Sequence, residues 1–359
     1  MKAQRGTGHT PSIKDVAERA GVCISTVSHV LNSTKPVSSA LQKRVTDAAE
    51  ELGYQANAIA RGLKSGKTNV LCVIVPSIVS VFFPKVLHGM QTAAAELGYS
   101  LSIYETGEAL EKERAYIRML KNQWVDGILL STCCSPSTDQ AYVNELKSLR
   151  IGGKRIPVVF FEALPGKGLD GVVVDNRRAA SEATAYLIKS GRHKIALIAA
   201  PTRFTMGVER YEGYLAALKQ ADIPADPALV CEGDYTPISG YDCMRELMGR
   251  KKPFDAVLCG NDQMAVGALR ALNEAGVRVP EEIAVMGFDN NFPGTLISPS
   301  LSTVSVPKEH MGREAINLLF WRLQQGEDAP PRVVTLQTSL VIRQSTDLRG
   351  ESGWDLHNW

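Results

Sequence analysis

The chain has 359 residues, of which 44% are hydrophobic and 22% charged, and its formal net charge is +2. These values are ordinary for a globular protein with one to three domains. The seven cysteines form no Cys-x-x-Cys spacing, which argues against a disulfide framework and a zinc site. We therefore predict no metal, no cofactor and a reducing, cytoplasmic location.

Two sequence features argue against membrane or secretory segments. The first ten residues contain no apolar stretch of the kind found in a secretory signal. The most apolar window, residues 70–83, is interrupted by Pro76 and is too short to cross a bilayer. We interpret it as a buried strand that runs into a loop.

Charge is distributed unevenly along the chain. Residues 1–67 contain ten Lys and Arg but five Asp and Glu, a net charge of +5, so the rest carries −3. A basic head on a slightly acidic body favours contact with a polyanion. On charge alone, a solvated basic tail explains the pattern equally well.

The first part of the chain is predicted to form three short helices. Ser12 begins the first, with Asp15 three residues later as a weak capping box, and Gly21 ends it. A second helix spans about residues 24–31. A third begins after Ser38 and ends at Gly53. The inner positions recur at helical spacing; they are Ile13, Val16, Ala17, Ala20, Val27, Val30, Leu31, Leu41, Val45, Ala48, Ala49 and Leu52.

Two short helices joined by a glycine turn and packed on a third form a helix-turn-helix unit. Its second helix typically enters the major groove of DNA. The outward residues of that helix are short hydrogen-bonding groups suited to base edges and phosphates: Ser25, Thr26, Ser28 and His29. The alternative is a small helical bundle with a Ser/Thr-rich solvent face.

Residues 12–54 carry the marks I-K-D-V-A…A-G-V, S-T-V-S-H-V-L-N and V-S…R-V…A…L-G-Y in order. This stretch resembles the DNA-binding head of the LacI/GalR family of bacterial transcription regulators. The resemblance implies that Ile24, Ser25 and His29 read bases. It also implies phosphate contacts from Thr26, Ser28, Asn32 and Ser38. Cys23 departs from the family, which usually has Ser there.

The stretch "ARGLKSGKT" (60–68) ends like a phosphate-binding loop. A Walker loop needs glycine at position 61, where the chain has Arg61, and needs a strand before it and a helix after it. Here a helical segment comes first and a strand follows, so we reject a nucleotide-using enzyme.

Residues 57–68 instead resemble the hinge helix of the same family, which orders only on the operator. The resemblance implies that Asn57 contacts DNA. It also implies that Leu63 is wedged between base pairs in the minor groove, which bends the DNA. The alternative for Leu63 is packing on the head.

From residue 70 onward, short apolar runs alternate with amphipathic helices, which predicts parallel sheets covered on both faces. The runs are "VLCVIV", "SLSIYE", "DGILLST", "IPVVFFE", "GVVVD", "KIALIAA", "ALVCEGD", "DAVLCG", "IAVMGFD", "LSTVSV" and "VVTLQTSLVIR". About 290 residues exceed one such core. We therefore predict a small all-α head joined by a hinge helix to an α/β body of two doubly wound parallel-sheet lobes.

The body also resembles the family's effector domain, which has the type I periplasmic-binding-protein fold with three crossings between lobes. The expected organisation is a tail (1–11), a helix-turn-helix domain (12–56), a hinge (57–69), an effector-binding and dimerisation domain (70–345) and a second tail (346–359). Within the body, the N-lobe is expected at about 70–173 and 306–333, and the C-lobe at about 175–303 and 335–345.

Ligands of parallel sheets bind beyond the carboxyl ends of the strands, where several polar residues of this chain stand. Each has a structural alternative: we interpret Asp262 as the cap of the following helix, Asp289 suits a turn, and Phe83 suits the lobe core. The resemblance implies an effector site made of Ser77, Phe82, Phe83, Glu162, Arg210, Tyr235, Asn261 and Asp289. Phe204 and Met206 stand where a purine-binding member has polar contacts, which favours a sugar or sugar derivative over a nucleobase.

No catalytic motif such as G-x-S-x-G or H-E-x-x-H is present in the sequence, and we predict that the chain is not an enzyme. We expect a ligand-responsive transcription regulator, in the first place a repressor, that binds a pseudo-palindromic operator as a homodimer. The alternative is a periplasmic-type solute-binding protein without a role on DNA.

Overall fold

A computed structural model of the chain describes residues 11–31, 35–54, 67–121, 123, 125–135, 138–326 and 329–351. The chain divides into two compact units, Met1–Thr68 and Asn69–Trp359. The predictions for Asn32, Asn57 and Leu63 fall outside the described residues.

The first unit contains three helices: α1 (Ile13–Ala20), α2 (Ile24–Leu31) and α3 (Ser39–Glu51). At the start of α1, the Ser12 amide donates to Asp15 at 2.7 Å, as the capping box predicts. Gly21 ends α1 with φ +63°, a left-handed conformation that favours glycine. Ser38 is the residue before α3, but its side chain makes no capping hydrogen bond.

The apolar stripes of the three helices meet in one small core, which consists of Val16, Ala17, Ala20, Val27, Val30, Val45, Ala48 and Ala49. Arg44 of α3 donates to the Ala20 carbonyl at 2.5 Å, which fixes the end of α1 against α3. Burial of Val27 and Val30 turns the opposite side of α2 outward. The predicted helix-turn-helix arrangement is confirmed.

The second unit alternates strands and helices. Its helices are α4 (Phe83–Glu96), α5 (Leu110–Leu120), α6 (Gln140–Lys147), α7 (Asn176–Lys189), α8 (Thr205–Gln220), α9 (Pro237–Gly249), α10 (Asp262–Glu274), α11 (Pro293–Leu296) and α12 (Lys308–Gln325). Its strands are β1 (Val70–Val75), β2 (Ser100–Glu105), β3 (Gly127–Leu130), β4 (Arg150–Ile151), β5 (Lys154–Arg155), β6 (Val158–Glu162), β7 (Asp170–Val174), β8 (Ile195–Ala199), β9 (Val230–Glu232), β10 (Ala256–Cys259), β11 (Ala284–Asp289), β12 (Ser302–Ser305), β13 (Val333–Leu336) and β14 (Ser339–Val341).

Two six-stranded sheets form the two lobes. The N-lobe sheet has the order β13-β7-β6-β3-β1-β2, and the C-lobe sheet has the order β14-β12-β11-β10-β8-β9. All pairings within them are parallel except that of β12 with β14. Each sheet therefore points the carboxyl ends of its main strands toward one edge, where ligands of such sheets bind.

The apolar run 333–343, within which the family resemblance placed a lobe boundary at about residue 334, is two strands in different sheets. Residues Val333–Leu336 pair with β7 in the N-lobe, whereas Ser339–Val341 pair with β12 in the C-lobe. The chain passes between the lobes at residues 337–338. The apolar pattern by itself does not reveal this crossing, because both halves have the residue types of a buried strand; the expected lobe bounds placed it about three residues earlier.

The predicted fold class is confirmed for the head and for the two-lobe α/β body. Residues 57–66 of the expected hinge lie outside the described residues. Within the part of the chain that the structure describes, no helix is both long and apolar enough to span a bilayer.

Candidate DNA-binding and effector sites

Helix α2 leaves a polar face beside its buried valines. The side chain of Ile24 is 43% exposed; Ser25 and Ser38 are also exposed, and Thr26, Ser28 and His29 are half-buried. Short hydroxyl side chains and an imidazole at these positions suit base edges and phosphate oxygens. The DNA contacts of these residues remain predictions.

Cys23 precedes α2 and joins this polar face. Its sulfur lies 3.0 Å from the hydroxyl oxygens of both Ser25 and Thr26. These hydrogen bonds lower the pKa of the Cys23 thiol to about 7. The departure from the family's serine thus places a reactive thiol on the side of the head predicted to meet DNA.

The eight predicted effector residues line a single cavity of about 250 Å³ in the second unit. They come from both sheets, because β1 and β6 of the N-lobe and β10 and β11 of the C-lobe all end there. The predicted residues in the lining are Ser77, Phe82, Phe83, Glu162, Arg210, Tyr235, Asn261 and Asp289. Their role as ligands to an effector stays a prediction.

Aromatic rings form two walls of the cavity. Phe82 and Phe83 pack edge to face with centroids 5.2 Å apart. Phe204 and Tyr235 are stacked with centroids 6.4 Å apart. Phe83 is 7% exposed and belongs to the main core cluster of the body, so the effector and core interpretations of this residue both agree with its position.

Arg210 is held by protein acceptors on every side. It lies on α8 and is 9% exposed. Its Nε donates to Asn176 Oδ1 at 3.0 Å and its Nη1 to the Gly260 carbonyl at 2.5 Å. Its Nη2 lies 3.6 Å from Asp289 Oδ1, and its guanidinium carbon lies 3.7 Å from the centre of the Phe288 ring. Arg210 therefore provides the positive charge that balances the Asp289 carboxylate.

Three oxygen-bearing side chains face the cavity with acceptor capacity to spare. Among the described residues, Asp289 Oδ1 and Tyr235 Oη are buried without a hydrogen bond. The Glu162 carboxylate accepts one hydrogen bond, from Ser131. Burial raises the pKa of Asp289 above its ordinary value and that of Glu162 to about 7. The cavity is thus rich in acceptors that a hydrogen-bond donor would satisfy.

Asn261 lines the cavity as expected, but it also takes the helix-cap role that we assigned to Asp262. The N-cap of α10 is Asn261, whose Oδ1 accepts from the Met264 amide at 2.8 Å. Its Nδ2 donates to the Tyr235 carbonyl at 3.1 Å. Asp262 is buried instead and accepts from Thr303 Oγ1 at 2.6 Å. The cap interpretation of Asp262 was wrong because these contacts from another strand hold its side chain away from the helix start.

Lys308 is a functional candidate that sequence reasoning missed. It begins α12, is 6% exposed, and donates to the carbonyls of Asp289 and Asn290. Both of these residues have positive φ, at 108° and 54°. Lys308 therefore fixes a strained turn that presents Asp289 to the cavity. No periodicity marks this lysine, because its position depends on a crossing between lobes.

Other lining residues escaped prediction as well, although most follow the same strand-end rule. Ser131 and Thr132 come directly after β3, and Glu108 comes shortly after β2. The same rule, applied to every strand, would have identified them. The remainder of the lining consists of Pro76, Val79, Ser80, Phe204, Met206, Asp234, Thr236 and Gln263.

Replacing Glu162 by Gln tests the electrostatics of the cavity in the protein without added ligand. Burial raises the pKa of Glu162 from 4.5 to about 7. The contribution of Glu162 to the free energy of unfolding therefore declines as the pH rises from 4.5 to about 7. At pH 5 the carboxyl is neutral and resembles an amide, whereas at pH 8 it is a buried charge. We expect Glu162→Gln to raise Tm over the wild type at pH 8 and to change it little at pH 5, measured by thermal unfolding without ligand. An equal difference at both pH values would contradict the assignment.

Family models match two parts of the chain. Residues 12–57 match the model described as "Bacterial regulatory proteins, lacI family". Residues 184–346 match the model described as "Periplasmic binding protein-like domain". The first covers the three-helix head, and the second covers most of the C-lobe together with α12 and β13, which pack in the N-lobe.

Similar proteins match over nearly the whole chain. The HTH-type transcriptional repressor PurR of Pasteurella multocida (strain Pm70) is 34% identical over 339 residues, which cover 94% of this chain and 99% of the relative. A solved transcriptional regulator CelR–cellobiose complex is 32% identical with a TM-score of 0.70, and the match covers 93% of this chain and 99% of the other. The solved lac repressor dimer bound to operator and the anti-inducer ONPF is 26% identical with a TM-score of 0.85, and the match covers 94% of this chain and 99% of the other.

Proposed function

The chain belongs to the lacI family of bacterial regulatory proteins, DNA-binding transcription regulators with an effector-binding body, and from that premise we propose that its effector is a sugar or sugar derivative. We propose further that it represses transcription as a homodimer on a pseudo-palindromic operator. As a regulator that acts on chromosomal DNA, it would work in the cytoplasm. The head at 12–56, the hinge at 57–69 and the effector-binding body at 70–345 are the domains that this function requires.

The observation that carries the effector proposal is the excess of acceptors in the cavity. The polar groups of Arg210 and Asn261 are already bonded to protein. The groups with capacity to spare are the carboxylates of Asp289 and Glu162 and the hydroxyl of Tyr235. A ligand with several hydroxyl groups satisfies such a set, because each hydroxyl both donates and accepts.

The charges around the cavity favour a neutral effector over an anionic one. The positive charge of Arg210 is balanced by Asp289 at 3.6 Å, and Glu162 adds a second carboxylate to the lining. A phosphate or carboxylate ligand would bring its charge next to the carboxyl groups of Asp289 and Glu162, whereas the charged groups of Arg210 and Lys308 are already directed to protein acceptors. A neutral sugar avoids this juxtaposition of like charges, and its C–H faces suit the rings of Phe82, Phe204 and Tyr235. The cellobiose in the complex with CelR, a relative of 32% identity, agrees with this class of ligand.

The regulatory mechanism follows from a site shared by two lobes. A ligand that binds residues of both lobes favours the lobe arrangement in which both sets of contacts form. That arrangement changes the spacing of the two hinge segments in a dimer. Operator affinity then shifts by the coupling free energy between the sites. Asn57 and Leu63 of the hinge, with Ile24, Ser25, Thr26, Ser28, His29, Asn32 and Ser38 of the head, are the proposed DNA contacts.

A thermal-shift screen tests the effector class. The purified protein is heated with neutral sugars, sugar phosphates, sugar acids and nucleobases, since a ligand specific for the folded state raises Tm. We expect a neutral sugar to give the largest shift and its phosphate or acid a smaller one. Asp289→Asn serves as the matched variant, because it keeps the shape of the site and removes an acceptor charge. A larger shift with an anionic ligand or a nucleobase would overturn the proposed class.

A further inference from the structure

Two cysteines lie together behind the cavity wall that contains Tyr235. Cys231 is on β9 and Cys243 is on α9, and their sulfur atoms are 2.8 Å apart. Both belong to one buried cluster of the C-lobe, against which Tyr235 packs, and their exposed fractions are 8% and 5%. Cys243 Sγ also lies 3.4 Å from the Glu232 carbonyl, and Cys231 Sγ lies 3.5 Å from Glu246 Oε2.

We infer that Cys231 and Cys243 form a redox-active dithiol, which hydrogen peroxide converts to a disulfide that joins β9 to α9. The first sulfur attacks one peroxide oxygen, the O–O bond breaks, and a sulfenic acid and one water form once the thiol proton is transferred. The second sulfur then attacks the sulfenic sulfur, the S–O bond breaks, and a second water leaves. Two thiols are oxidised and one peroxide is reduced to two waters.

The geometry supports both steps. A disulfide needs its sulfurs about 2.05 Å apart, so the pair must approach by less than about 1 Å. The resolving sulfur is in contact with the attacked one, which makes the second step effectively intramolecular. Cys231 donates its hydrogen bond to Cys243, which lowers the pKa of Cys243 and raises that of Cys231. This contact makes Cys243 the more acidic thiol of the pair, and we take it as the attacking sulfur. The small exposure of both thiols admits hydrogen peroxide more readily than a bulky disulfide.

The disulfide would close a covalent loop that contains the segment of the cavity wall between β9 and α9. Residues 231–243 include Asp234, Tyr235 and Thr236, all of which line the cavity. Tyr235 has φ 71°, and Thr236 donates its amide to Asp234 Oδ1 at 2.9 Å. A disulfide that closes the covalent loop 231–243 restricts the local motion and opening of this segment. Its consequence for ligand binding rests on the function proposed above, whereas the disulfide chemistry does not.

Mass spectrometry tests the dithiol in the full chain. Cys23→Ser is used as the background, because the exposed Cys23 thiol with its lowered pKa would react first. With hydrogen peroxide we expect the mass to fall by about 2 Da, a cross-linked peptide joining Cys231 to Cys243, and reversal by dithiothreitol. Cys133 and Cys134 are the internal control: burial raises the pKa of both, to about 12 and about 11, so they should stay reduced. Oxygen adducts without the cross-link, or equal oxidation of Cys133 and Cys134, would overturn the proposal.

A second pair of measurements separates the bond from its effect on the wall. Adding Cys243→Ala to the same background should abolish the cross-link. Amide hydrogen exchange over residues 233–236 should be slower in the oxidised protein than in the reduced protein, and equal rates would overturn the restriction of the wall. Neither readout uses an effector, so a failed sugar screen leaves both results intact.

Discussion

Arg210→Ala is expected to destabilise the body by about 3–5 kcal/mol at pH 8, the usual cost of removing one partner of a buried ion pair. The substitution leaves the Asp289 carboxylate buried without its counter-charge at 3.6 Å and the Gly260 carbonyl without its donor. We also expect the effector response to be lost, because the cavity wall is built on these contacts. Urea unfolding at fixed pH measures the first effect, and the ligand-induced Tm shift measures the second.

The destabilisation caused by Arg210→Ala should be smaller at pH 5 than at pH 8. Burial already raises the pKa of Asp289, while Arg210 and Lys308 lower it. Without Arg210 the pKa rises further, so at pH 5 more of the variant holds a neutral carboxyl and the cost of the missing charge declines. Combining Arg210→Ala with Asp289→Asn should restore part of the stability at pH 8, since the two residues are coupled.

Arg203→Ala provides the matched control. Arg203 pairs with Glu108 at 2.7 Å, but its side chain is 58% exposed. Exposed ion pairs contribute about 0–1 kcal/mol, so this variant should unfold close to the wild type. Equal losses for Arg203→Ala and Arg210→Ala would falsify the assignment of Arg210 as the buried counter-charge of the cavity.

Part of the cavity could be predicted from the sequence by one rule, that ligands bind beyond the carboxyl ends of parallel strands. Ligand-facing residues such as Glu162 and Asp289 stand directly after apolar runs, so their convergence follows from the direction of the strands. Arg210 lies in the second turn of α8, which follows the run "KIALIAA" after a short loop. Its place beyond a strand end put it in the prediction, and the family resemblance assigned it the role of an effector ligand.

The misses have a common physical cause in contacts between distant parts of the chain. Either Asn261 or Asp262 suits a helix start by residue type, and the choice is made by Thr303, which holds Asp262. Lys308 acts through the carbonyls of Asp289 and Asn290, which belong to another part of the C-lobe sequence. Cys231 and Cys243 are separated by a strand end, a loop and two helical turns, a spacing that carries no recognised signature.

His29→Ala is expected to weaken operator binding by about 1–3 kcal/mol per half-site, the usual discrimination of a good base contact. In a dimer the side chain acts twice, so the total is about 2–6 kcal/mol, or at least about 30-fold in Kd. His29 follows Val27 and precedes Val30, whose burial fixes α2 against α1 and α3 and sets the face on which His29 lies. The measurement is fluorescence anisotropy on a duplex that the wild-type protein selects from random DNA.

Two comparisons separate base reading from general attraction to DNA. Thr46→Ala is the control, because Thr46 is exposed on α3 and bonds the Gln42 carbonyl of its own helix at 3.0 Å; it should leave operator affinity unchanged. The slope of affinity against salt should be the same for His29→Ala and the wild type, since a base contact releases no phosphate counterion. His29→Ala should also relax the preference among duplexes altered at one base pair of each half-site. A variant that keeps both the affinity and the preference would remove His29 from the base-reading set, and a changed salt slope would assign it to phosphate instead.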